Sequence, residues 1–91
     1  MKITKKHAVN DLTIIPGVGK SIATDLLKIG INSVSELKGK NPEKLYDLSN
    51  AYAGTIQDKC LLYVFRCAVY YANTPQEEQE PEKLKWWNWK V

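Results

Sequence analysis

The stretch from Leu61 to Ala72 is apolar on nearly every face, and only Arg66 interrupts it. A helix with no polar side must be wrapped by other elements, so this segment predicts the central element of a helical core. It falls short of the ~20 apolar residues that a membrane span needs, and no other window comes closer. Thr55 reads as its cap and Asp58 as an acid in its first turn, which predicts a long central helix over 56–73.

The remaining punctuation is also helical. A short helix over 8–14 should end at Pro16-Gly17-Val18-Gly19. A second should start near Lys20 or Ser21 and carry Ile22, Leu26, Leu27 and Ile29 towards Gly30, a natural left-handed stop. Ser33-Val34-Ser35-Glu36 has the capping-box pattern, and Gly39 ends that turn. Asn41-Pro42-Glu43 supplies a cap, a first-turn proline and an acid for a helix expected to bury Leu45, Leu48 and Tyr52 before Gly54. Alternation of strand type is missing. The expected fold is all-α, a compact bundle of about five to six short helices. Residues 1–74 form the main domain, 75–81 a mobile acidic linker, and 82–91 a Trp-rich helix packing back on the same domain.

Charge is permissive. A net charge of +3 allows contact with polyanions without requiring it. Lys2, Lys5, Lys6 and His7 make a basic N-terminal arm, and the acids Glu77, Glu78, Glu80 and Glu82 gather late in the chain. The first residues lack the apolar core of a secretory signal. Cys60 and Cys67 lie seven residues apart on one helix, too far for a disulfide, and read as reduced, buried thiols of a cytoplasmic protein. A single His and no Cys-x-x-Cys pair argue against a metal cluster. No set of nucleophile, base and orienting acid is present, so an enzyme is not expected.

One segment carries chemistry. Gly17 and Gly19 offer positive φ and close approach without a Cβ, just before a helix start whose first N–H groups lack partners. Such a turn suits an anion, above all a phosphate, and Lys20 adds a formal charge at its rim. Val18 between the glycines should turn inward. A glycine-flanked turn is as often merely structural, and two phosphate-loop alternatives fail. The Lys20-Ser21 ending lacks the distant first glycine of a P-loop, and Ile22 stands where a dinucleotide fingerprint needs glycine.

The run Leu12-Thr-Ile-Ile-Pro-Gly-Val-Gly-Lys-Ser-Ile-Ala-Thr-Asp-Leu-Leu-Lys-Ile-Gly30, followed by Ile31, resembles the helix-hairpin-helix motif of DNA repair and replication proteins. Over most of its length, including 62–72 and 80–90, the chain is similar to the small bacterial pathogenicity-locus family, also labelled mitomycin-resistance-like. The resemblance to the motif implies non-sequence-specific binding of duplex or branched DNA. The amides of Gly17, Gly19, Ser21 and Ile22, with Val18 and Lys20 in the same turn, would take phosphate oxygens of one strand. It also implies a monovalent cation, K+ or Na+, held by the carbonyls of Thr13, Ile15 and Val18. Relatives often pair two such hairpins. The equivalent stretch here, 50–55, keeps only Gly54 and reads as a degenerate copy, which makes binding weak and a protein partner or homodimer plausible.

Several residues have plainer readings. Asp25 should pair with Lys20 or Lys28 on the surface, and Arg66 should snorkel outward or pair with Asp47 or Asp58, the sharper alternative being a place on the DNA face. His7 reads as solvated. Tyr63, Phe65, Tyr70 and Tyr71 read as core, and Leu84 with two of Trp86, Trp87 and Trp89 should clamp the tail onto it. The functional expectation is a DNA-binding module in repair, recombination or damage resistance. The alternative is a protein-interaction adaptor using the hairpin and the Trp-rich tail.

Overall fold

The computed structural model describes residues 5–90, with side chains from His7 onward, so Lys2 and the Lys5 and Lys6 side chains lie outside the described residues. Four α-helices form: α1 over Lys5–Leu12, α2 over Lys20–Lys28, α3 over Pro42–Ala53 and α4 over Lys59–Asn73. Single 3-10 turns form at Val34–Leu37, Gln76–Glu78, Pro81–Leu84 and Trp86–Trp89; the first and the last two stand where the remaining short helices were expected. Among the described residues there is no strand, so the chain is all-α. No helix among them is long and apolar enough to cross a membrane.

The apolar run does what its composition dictates. Leu61, Val64, Phe65, Cys67, Ala68, Val69 and Ala72 of α4 are buried, with Phe65 and Cys67 fully enclosed. Replacing a fully buried Phe by Ala costs about 3 to 5 kcal/mol, which makes α4 the axis of the fold. Against it pack α3, the Val34–Leu37 turn and both tail turns, while α1 pairs with α2 at one end.

Local signals fix most boundaries. The Asn41 side chain accepts from the amides of Glu43 and Lys44 at 2.9 and 3.2 Å, Pro42 opens α3, and Gly54 closes it at φ 73. α4 starts later than expected. Its cap is Asp58, whose carboxylate accepts the Cys60 amide at 2.8 Å, and Thr55 stays in the loop. That start leaves Cys60 exposed, so only Cys67 is a buried thiol.

Other expectations are corrected by long-range partners. Leu48 and Tyr52 are exposed at 53% and 62%, and α3 instead buries Tyr46 and Ser49 beside Leu45. Tyr46 donates its hydroxyl to the Gln57 carbonyl, and Ser49 accepts from the Gln57 side chain at 2.9 Å, so both polar groups are satisfied inside. The Ser33 capping box does not close. Glu36 takes the Asn32 amide, and Asp11 reaches across from α1 to cap Val34 at 2.9 Å. Arg66 pairs with Glu43 of α3 at 2.8 Å and donates to the Trp89 carbonyl at 2.7 Å, which ties helix, core and tail together.

The acidic segment is bonded to the end of α4 through its last residues, Gln79 and Glu80. Gln79 donates to the carbonyls of Tyr71 and Thr74, and the Tyr70 hydroxyl accepts the Glu80 amide. The tail beyond forms two 3-10 turns in place of a helix. Leu84, Trp86 and Trp89 are half-buried and Trp87 remains half exposed, so two tryptophans clamp and one does not. Trp89 lies 5.6 Å from the Tyr70 ring and donates its indole N–H to the Lys83 carbonyl.

Candidate functional site

The α1–α2 turn is built on three inward residues, Leu12, Ile15 and Val18, each almost completely buried. They recur every third position, and successive tight turns accommodate that spacing: the Ile15 amide donates to Leu12, and the Val18 amide to Ile15. Val18 is thus inward, as its place between glycines suggested. The segment between these anchors is forced to the surface, where Gly17, Gly19, Lys20 and Ser21 are exposed.

The two glycines differ in their reasons. Gly17 has φ +87, a left-handed conformation, and a Cβ built on it would meet Trp86 Cδ1 at 2.8 Å. Its missing side chain is filled by the protein's own tail. Gly19 is at φ −91 and ψ −175, extended backbone that any residue adopts, with nothing within 4 Å of its absent Cβ. Positive φ therefore explains Gly17 alone. Neither conformation nor internal packing demands glycine at Gly19.

Gly19 is the N-cap of α2, and no side chain caps that helix. Asn, Asp or Ser normally serves this position better than glycine. Among the described residues, the amides of Gly19, Lys20, Ser21 and Ile22 meet no acceptor, and the first helical bond runs from Ala23 to the Gly19 carbonyl. The donors at the positive end of the dipole are thus left without an internal acceptor among the described residues. Asp25 forms no ion pair among the described residues, contrary to expectation, so it neutralises neither Lys20 nor Lys28.

Beneath the turn, Cys67 Sγ lies 3.6 Å from the Lys83 carbonyl and 4.0 Å from that of Pro16, so tail and turn converge over one buried thiol. Burial pushes its pKa up to about 11, and it stays a neutral packing group. The carbonyls proposed for a cation differ in availability. Ile15 already accepts the Val18 amide at 3.0 Å, while Thr13 and Val18 carry no such bond among the described residues. Groups of three or more His, Cys, Asp or Glu placed to hold a metal are lacking among the described residues.

The α3–α4 turn, by contrast, satisfies itself. The amides of Gly54 and Thr55 donate to the Asn50 carbonyl, and the Asn50 side chain accepts from both the amide and the side chain of Gln57. Asp58 occupies the start of α4, and hydrogen bonds from the Cys60 amide and then its thiol hold its carboxyl below the usual range. The same interaction, with Asp58 as the main cause, pushes the Cys60 thiol up.

The profile of the pathogenicity-locus (Cdd1) family matches residues 5–91, which covers both turns and the tail that meets Gly17. The chain belongs to that family. It is 34% identical over 80 residues to the mitomycin resistance protein McrB of Streptomyces lavendulae, an alignment covering 88% of this chain and 70% of the relative. No solved structure matches it.

A groove between α1, α2 and α3 had no counterpart in the sequence reading. It is lined by Lys20, Thr24 and Lys28 of α2 and by Tyr52 of α3. The fourfold spacing of the three α2 residues was a legible sign of one helix face. The exposure of Tyr52 was not.

Proposed function

We propose that this family member is a helix-hairpin-helix DNA-binding module that grips one strand's phosphates at the start of α2. One observation carries the reading: α2 is left uncapped by a glycine that neither backbone conformation nor packing requires, so its amides are free for an external anion. Lys20, exposed and without an ion pair among the described residues, strengthens the same field. Backbone donors of this kind position a polynucleotide without reading its bases, so binding is not sequence-specific. K+ or Na+ at the Thr13 and Val18 carbonyls would stiffen the turn. A relative named for mitomycin resistance supports a role in damage resistance.

The test is fluorescence anisotropy of a labelled duplex at several salt concentrations. With ~2 to 4 phosphates engaged, log K should fall against log salt with a slope of about −2 to −4. Absence of binding in dilute buffer would overturn the reading. The adaptor alternative draws on Trp87, which is half exposed while Trp86 and Trp89 pack inward. It requires that Trp87→Ala remain folded yet lose a protein partner.

A further inference from the structure

We infer that the groove beside α2 binds an unpaired nucleotide, so that the protein prefers DNA with a single-stranded extension over blunt duplex. The inference rests on the DNA-binding reading and names the substrate class of the same site. The groove encloses about 720 Å³ and begins at Lys20, the first residue of α2. Lys20, Thr24 and Lys28 follow at four-residue intervals, so they form one stripe about 12 Å long down the helix. Val9 and Leu27 give it apolar surface, and the Tyr52 ring lines it from α3.

Three features favour a nucleic-acid strand as occupant. Two lysines line the groove and no carboxylate does, so its charge complements a polyanion. Tyr52 is 62% exposed although it sits on a helix face next to the core, and Lys28 Nζ lies 5.7 Å from its ring centroid. An exposed aromatic ring with a cation over one face leaves its remaining surface for a base to stack on while the lysine neutralises the phosphate. The groove also starts where the α2 amides would hold a phosphate, so a strand anchored there is led directly along the lysine stripe. Bases inside a duplex are already stacked and cannot reach Tyr52. An unpaired one can.

Anisotropy on the full chain, comparing a blunt duplex with the same duplex carrying a short single-stranded overhang, tests this. The overhang should bind about tenfold more tightly, given the usual strength of one base stacked on an aromatic ring. Tyr52→Ala should bring both DNAs to the blunt-duplex affinity, and Tyr52→Phe should restore the preference. Equal affinities in the native protein, with duplex still bound, overturn this inference alone. Failure to bind either DNA in dilute buffer overturns the DNA-binding reading and this inference with it. If Tyr52→Ala keeps the overhang preference but loses a fluorescent Glu- and Leu-rich peptide, the groove belongs to an acidic protein segment and the inference is wrong.

Discussion

The α1–α2 and α3–α4 turns present the same problem, the start of a helix with unpaired amides, and solve it in opposite ways. At α4 the chain supplies its own anion: the Asp58 carboxylate caps Cys60, and the loop before it is knitted by Gln57 to Ser49 and Asn50. At α2 the cap is Gly19, no side chain intervenes, and the space above is open. The difference teaches that two similar turns are separated by the occupant of the helix start. A turn sealed by its own carboxylate also repels phosphate, so only the first is available to a polyanion.

The largest effects that would sharpen this contrast are on stability, at the positive-φ glycine of each turn, Gly17 and Gly54. Gly17→Val must strain a left-handed backbone and displace Trp86, and should lower the unfolding free energy by about 2 to 4 kcal/mol. Gly54 has the same backbone demand with nothing within 4 Å of its missing Cβ, so Gly54→Ala should cost only about 1 kcal/mol. Urea denaturation of both variants checks the ranking. Equal losses would mean that the Trp86 contact contributes nothing. A simultaneous bulky substitution at both glycines of the first turn is therefore a poor probe of binding, since Gly17 alone would perturb the fold.

A smaller effect tests the seal. Asp58→Ser keeps a capping oxygen while removing the charge, and should raise duplex affinity about two- to fivefold if that carboxylate is what closes the second turn. An unchanged affinity would show that loop geometry, not charge, disables it. The smallest effect is an acid titration. The folded carboxyl of Asp58 lies below its unfolded value, so its capping is fully present above the usual carboxylate range and is lost as pH falls through the lowered value. The Cys60 amide resonance should report that transition in the native protein and lose it in Asp58→Ser.

Much of this was legible in the sequence because the deciding interactions are local. The apolar run of α4, the Asn41 cap, the Gly54 stop and the inward Val18 each depend on neighbours within a few residues. What was not legible depends on distant ones. Which face α3 buries depends on where α4 lies, and Tyr46 and Ser49 go inside because Gln57, eight or more residues away, satisfies them. Arg66 finds Glu43, not Asp47 or Asp58, because α3 and α4 meet there. The approach of Trp86 to Gly17 joins opposite ends of the chain, and no periodicity announces it. The phosphate-binding reading of the two glycines was half structural: Gly17 answers to the tail, and Gly19 alone is left without an internal reason.

The most direct measurement is therefore Gly19→Asp, read out together by duplex affinity and thermal unfolding. A carboxylate there would cap α2 as Asp58 caps α4, so stability should hold or rise by about 0.5 kcal/mol while DNA binding falls at least about tenfold. A variant that keeps its affinity for duplex, with α2 capped, would contradict the claim that these free amides are the grip.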